Sequence, residues 1–373
     1  MSGLTIATPE ELGFVPERMQ IACNLLGEWT RSDEIPAAAL CVGRGSRMLE
    51  PRFFGRQRLD LVSRPVREDA LFLSASITKP VTATAVMLLV ERGKLALGDR
   101  VAEYVPRFAQ NGKQDVLIRH LLTHTSGLPD MVPNNAALRA GHQPLSAFID
   151  DICLQPLAFP PGAKVSYQST GFALMAEIVR EITGSTLADF LAREIFGPLG
   201  MNDTSLGWAI HKKDRIAEVR LPAGTEKTDW HWNSSYWLSF GAPWGGLITS
   251  PADFARFCAM MLGGGELDGV RILGPATVRA MTSNQLLGMP EVPEEERRCR
   301  PWGLGWRLNW PGHSQNFGDL LGPRTYGHWG ATGTLAWLDP DSRVFCILFT
   351  TQPQGEEGRF LARLSNAVAA ACV

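Results

Sequence analysis

Apolar and polar positions repeat with two different periods along the chain. Between Ile77 and Leu95 the apolar residues Val81, Ala85, Leu88, Leu89 and Leu95 recur at helical spacing, which predicts a long buried helix beginning close after Ser74 and Ser76. The same period predicts helices at Pro16 to Trp29, Ile118 to Leu122, Leu145 to Ile152, and Gly171 to Ile182, the last closed by Gly184. It also predicts one at Pro251 to Leu262, with Pro251 in its first turn and the glycine turn Gly263 to Gly265 after it, and a closing helix from about Glu356 to Ala371. Short apolar runs bounded by turn residues predict strands at Ala37 to Val42 and Met48 to Phe54, joined through Gly43 to Ser46 as a hairpin. Further strands are predicted at Gly303 to Trp310, Arg324 to His328, Thr332 to Leu338 and Val344 to Thr350, with the turn Asp339-Pro340-Asp341 between the last two. Ala209 to Trp244 has little periodicity but carries Trp230, Trp232, Trp237 and Trp244, and reads as a long aromatic loop.

Strands at both chain ends around a helical middle imply an antiparallel sheet assembled from the two ends with flanking helices: an α/β region joined to an all-α one. The expected division is 1–78 with 249–373 for the sheet region and 79–248 for a mainly helical insertion, and the seam between them is the natural place for a ligand cleft. A chain of 373 residues, 45% hydrophobic and 20% charged, is long enough to bury a large core without disulfides.

Charge narrows the classes of partner. Lys plus Arg number 36 and Asp plus Glu 38, dispersed along the chain, so neither nucleic acid nor an anionic membrane is an expected partner. The longest strongly apolar run, Val81 to Val90, is half of the ~20 residues a membrane span needs. The seven cysteines are scattered with no C-x-x-C pair, and the N-terminus lacks the pattern of a signal peptide, which together predict a reduced, cytoplasmic protein. The one dense charge run, Glu294 to Arg298, reads as a solvated loop.

Ser76-Ile77-Thr78-Lys79 is the sharpest chemical signal. On a helix, residues three apart share a face, so the Ser76 hydroxyl can meet the Lys79 amine, and serine needs such a neighbour to take its proton. Burial near a helix start lowers a lysine pKa and suits it to that task. An isolated S-x-x-K arises roughly once per 250 positions by chance, and the local alternative is a solvated helix start. The motif stands within LFLSASITKPVTATAVMLLVERGKLALGD, followed in order by IRHLLTHTSGLPD, VSYQSTGFALMAEIVREITG, WGGLITSPADFARFCAMML and YGHWGATGTLAWLDP. Through these five colinear stretches the chain resembles the serine β-lactamase and penicillin-binding-protein superfamily, in the branch of class C β-lactamases, D-alanyl-D-alanine carboxypeptidases and family VIII carboxylesterases.

The resemblance implies a β-lactamase/transpeptidase-like fold and roles residue by residue. Ser76 becomes the nucleophile, Lys79 its neighbouring lysine, and Tyr167 the group that takes the serine proton and returns it to the leaving group. Ser169 stands where the family usually has asparagine, a shorter group without the amide's two donors, although still able to bond Lys79. His328-Trp329-Gly330 occupies the K-T-G position, where histidine can donate a hydrogen bond or carry charge near pH 6.5 and Trp329 replaces the threonine hydroxyl with an indole. The N–H of Ala331, with that of Ser76, becomes the oxyanion hole. The implied activity is a serine hydrolase working through an acyl-enzyme on small or medium carboxylic esters. Alternatives within the superfamily are a D-amino-acid peptidase or amidase, a weak β-lactamase, or an acyltransferase; from another class, a catalytically silent scaffold.

No cofactor or metal is expected. His120 and His124 are spaced like a zinc helix, but H-L-L-T-H lacks the glutamate of H-E-x-x-H, and Gly263 to Gly265 has no companion motif for binding phosphate. The expected partner is a small ester or amide; oligomeric state is left open. The tryptophans near residue 235 fit a core or a cleft wall equally well.

Overall fold

The computed structural model describes residues 4–207, 210–309, 317–354 and 359–373. Its centre is a sheet whose described strands run in the order Thr5–Ile6, Arg47–Met48, Ala37–Arg44, Val344–Thr350, Thr334–Asp339, Tyr326–Gly330 and Arg307–Leu308, with Arg52–Gly55 also paired to Ala37–Arg44. Every described pair in it is antiparallel except the first, Thr5–Ile6 with Arg47–Met48. Strand Ala37–Arg44 pairs residue by residue with Val344–Thr350, so the two chain ends meet in the middle of the sheet.

These two strands are buried on both faces, which is why they read as unbroken apolar runs. Ala37, Ala39 and Cys41 face a large core shared with the helices Thr78–Glu91, Thr170–Thr183 and Pro251–Leu262. Ala38, Leu40 and Val42 face a second core beneath the helices Pro16–Arg31 and Arg359–Ala371. Helix Thr78–Glu91 is buried from Thr78 through Leu89, as expected for one that is apolar all round. Gly184, in the left-handed region at φ 70°, closes Thr170–Thr183 by donating its N–H to the Arg180 carbonyl. Among the described residues, no helix is long and apolar enough to cross a membrane.

Several predicted boundaries move for identifiable reasons. The helix expected over Ile77 to Leu95 begins as a 3₁₀ turn, Ala75–Ile77, and ends at Glu91, where Gly93 at φ 63° lets Lys94 N–H turn back onto the Leu89 carbonyl. The strand Met48 to Phe54 is two strands, Arg47–Met48 and Arg52–Gly55, interrupted at Pro51, which has no N–H to give a ladder. Gly303 to Trp310 shrinks to Arg307–Leu308, because Gly303 and Gly305 pack backbone against neighbours: a Cβ would stand 2.0 Å from the Met281 carbonyl or 2.4 Å from the Ala83 methyl. Trp310 lies outside the described residues, as do Ala209 and Glu356. Arg324 to His328 is displaced to Tyr326–Gly330. The aromatic stretch is not all loop: it holds a helix, Ser235–Phe240, whose N-cap Ser234 accepts from Trp237 N–H. The charge run is a short exposed helix, Glu294–Cys299, with an Arg298–Glu294 pair at i,i+4.

Candidate active site

Strand Phe72–Leu73 pairs with Leu247–Thr249 and then turns sharply, with Ala75 at φ 48°, a strained value for a residue with a side chain. Ser76 follows as the one residue between Ala70 and Leu89 that is not fully buried. The helical step predicted from S-x-x-K places Lys79 Nζ 3.1 Å from Ser76 Oγ and 3.1 Å from the Trp244 carbonyl, donating to both. Lys79 is fully buried, and burial drives its pKa down to about 7; the carboxylate of Asp130 opposes that shift and the guanidinium of Arg307 adds to it.

Tyr167 closes the other side of Ser76. The two side chains are hydrogen-bonded, and Lys79 Nζ lies 4.7 Å from the centre of the Tyr167 ring. Desolvation pushes the phenol above its ordinary range, Arg307 and the Ser76 bond pull it back, and Asp130 raises it further. The short segment carrying Tyr167 is held from both flanks. Val165 N–H donates to Glu296 Oε2 at 2.8 Å, Ser166 N–H to the His124 carbonyl at 2.8 Å, Gln168 N–H to His124 Nδ1 at 3.1 Å, and Ser169 N–H to the Asp130 carbonyl at 3.1 Å. The His124 ring also packs at a tilt against Tyr167, with ring centres 4.6 Å apart. The spacing that suggested a zinc helix therefore serves local backbone bonding, since His120 Nδ1 likewise accepts from Leu117 N–H. Among the described residues, no three His, Cys, Asp or Glu side chains are grouped as metal ligands would be.

The strand Tyr326–Gly330 forms the facing wall. Gly330 abuts the turn that carries Ser76: a Cβ there would stand 2.5 Å from the Ser74 carbonyl and 2.9 Å from the Ala75 methyl. Thr332 and Thr334 fasten this contact by donating their hydroxyls to the Leu73 and Ser74 carbonyls, each at 2.8 Å. Among the described residues, no backbone or side-chain acceptor takes the N–H of Ser76 or of Ala331. His328 departs from expectation. It is buried, its Nδ1 lies 2.7 Å from the Trp329 carbonyl, and burial, with Arg307 and Lys79 adding to it, holds its pKa well below the ordinary histidine value. The ring is therefore neutral at pH 6.5, with Nδ1 the protonated nitrogen because a carbonyl can only accept. Trp329 is half-buried against the second core, its ring 5.3 Å from the Arg307 guanidinium. Ser169 is buried, and its hydroxyl makes no hydrogen bond to Lys79, whose partners are Ser76 and Trp244.

Sequence reasoning did not single out Arg307, Trp302, Asp130, Thr332 or Thr334 as parts of the site. Both threonines and Asp130 lie inside stretches quoted above, but their use depends on chain segments far away in sequence. Trp302 packs around Tyr167 and His328 at 6.0 Å between ring centres. Of the tryptophans near residue 235, Trp237 and Trp244 are buried core residues with Phe240 between them, and Trp244 reaches the site through its carbonyl.

A family model described as Beta-lactamase matches residues 17–371. An Escherichia coli (strain K12) protein carrying the name "Putative D-alanyl-D-alanine carboxypeptidase" is 29% identical over 388 residues, covering 94% of this chain and 86% of its own. A penicillin-binding protein homolog from Caulobacter crescentus superposes with a TM-score of 0.77 at 23% identity, over 95% of this chain and 99% of that one. A family VIII carboxylesterase does so with a TM-score of 0.76 at 21% identity, over 96% and 99%. At these identities the structural likeness speaks for the fold.

Proposed function

Because the chain belongs to the Beta-lactamase family, whose members are serine hydrolases, we propose that it acylates Ser76 and that its substrates are small or medium carboxylic esters. The Lys79–Tyr167 pair takes the Ser76 proton as Oγ attacks the carbonyl carbon. The N–H groups of Ser76 and Ala331, both untaken, receive the oxyanion. Tyr167 returns the proton to the departing alkoxide, and water, deprotonated by the same pair, releases the acid. One coupled pair carries the proton in both half-reactions.

The observation that favours an ester is the chemistry of the facing strand. Penicillins and D-alanyl-D-alanine peptides carry a carboxylate beside the scissile bond, and the family's K-T-G strand meets it with an ammonium and a hydroxyl. Here that strand presents a neutral, buried His328 and an indole. Losing a hydrogen bond to a charged group costs about 1.5–3 kcal/mol, roughly ten- to hundredfold in preference, whereas a neutral ester loses nothing. The free state of all seven cysteines supports a reducing compartment.

A second reading, D-alanyl carboxypeptidase, draws support from the Escherichia coli relative. The two are separated by comparing kcat/KM at pH 8 for p-nitrophenyl esters of increasing acyl length, a D-alanyl-D-alanine peptide and a penicillin. The esters should lead by well over tenfold, and Trp329→Thr should narrow the gap. Equal efficiency on a carboxylate-bearing substrate in the unmodified protein sinks the ester assignment.

A further inference from the structure

The facing strand has lost its charge, yet the site has not lost its cation. Arg307 belongs to the edge strand Arg307–Leu308 and pairs with Gly327, one residue before His328. Its guanidinium carbon lies 5.1 Å from the ring centre of Tyr167, 4.7 Å from that of Trp302 and 5.3 Å from that of Trp329, a three-ring enclosure that holds the group in place. Lys79 Nζ approaches the same Tyr167 ring at 4.7 Å, so the two nitrogenous heads stand no more than about 10 Å apart, near enough in a buried setting to affect each other's ionisation.

We propose that Arg307 supplies the fixed positive charge of this site, acting through Tyr167 and Lys79 as a positioning residue. The inference rests on the acyl-enzyme reading given above. A guanidinium does not deprotonate in the working range, whereas Lys79 does. Its charge disfavours an ammonium on Lys79 and favours a phenolate on Tyr167. Those effects point the same way: whichever of the two residues releases it, the pair gives up its shared proton at a lower pH with Arg307 present. Among the described residues, the other charged or titratable groups acting on the pair are Asp130, which opposes the effect, and the imidazoles of His124 and His328; His328 is neutral.

The test is the pH dependence of labelling at Ser76 by an uncharged fluorophosphonate, read by mass spectrometry on the full-length protein. In the unmodified chain the acid limb should be centred near the value of about 7 set by Lys79. Arg307→Met and Arg307→Gln should move it up by roughly one pH unit, so that labelling at pH 6 slows about tenfold, while Arg307→Lys keeps it within a few tenths of a unit. Asp130→Asn removes an exposed carboxylate and should move the limb down. An unmoved limb in a folded neutral variant overturns the proposal, as does a selective rise in KM for carboxylate-bearing substrates without a pH shift, which would make Arg307 a substrate contact. If neither neutral variant folds, Asp130→Asn decides, and an unmoved limb there counts against control by fixed charges. Failure to label Ser76 in the unmodified chain refutes the acyl-enzyme reading itself, a result distinguishable from all the others.

Discussion

The two walls of the site are built by opposite means. On the Ser76 side the first contacts are local: Lys79 reaches Ser76 and Thr78 reaches the Ala75 carbonyl, each across three residues, while Lys79 also reaches the Trp244 carbonyl and Tyr167 comes from a separate segment. On the strand side they are remote, with Thr332 and Thr334 bonded to carbonyls 259 and 260 residues away. The walls also differ in charge. Burial leaves the Ser76 side with an amine that titrates near pH 7, and the strand side with an imidazole that stays neutral. The Ser76–Lys79 contact is thus encoded in one helical turn, whereas Tyr167, substrate choice and electrostatic tuning come from distant chain, so the two sets of contributions should be separable by mutation.

The largest expected effect is on the Ser76 side of the site. Ser76→Ala, Lys79→Ala and Tyr167→Phe should each lower kcat by ~10³ or more, and the Ser76→Ala/Tyr167→Phe double variant should be little worse than Ser76→Ala, because the residues act as one unit. A Ser76→Ala protein that retains most of its esterase activity would break the comparison outright.

Gly330→Ala attacks the remote wall. The new methyl must push the strand away from the Ser74 carbonyl, and a misplacement of this kind should cost on the order of 10²-fold in kcat/KM with Ser76, Lys79 and Tyr167 all intact. Unchanged ester turnover in this variant would mean that the strand edge does not take part.

A smaller effect concerns stability. Lys79 has a depressed pKa in the fold, about 7 against 10.5 in an unfolded chain. The unfolded state therefore binds more protons between those values, and stability rises with pH across that window. Lys79→Met should accordingly be more stable than the unmodified protein by a few kcal/mol at pH 6, with the gain fading as pH rises toward 10. Thermal melts at pH 6 and 9 check this; a pH-independent difference would contradict a buried, titrating amine. The smallest expected effect is that of Glu296→Ala, which removes the acceptor of Val165 N–H and loosens the segment carrying Tyr167. Here kcat should fall by about two- to tenfold with KM little changed.

Much of the fold was legible where a segment's burial is uniform. The buried helix from Thr78, the helix closed by Gly184 and the strands Ala37–Arg44 and Val344–Thr350 each have a pattern that one environment imposes along their length. Errors fell where the chain is shaped by backbone contacts: the loop tightened by Gly303 and Gly305, the strand interrupted at Pro51, and the helix stopped at Gly93.

For the site, the sequence alone determined that a serine and a lysine share one helical face, because that geometry depends only on a three-residue step. It also placed Tyr167 and the His328-Trp329-Gly330 strand by their resemblance to a family pattern. Only the tertiary structure decided that His328 is neutral, since its ionisation depends on burial and on Arg307 and Lys79 brought close by folding. It likewise decided that His124 positions the Tyr167 segment and that Arg307 stands among three aromatic rings. Electrostatic energies depend on distances and dielectric surroundings across separate segments, and neither quantity exists until those segments are packed together.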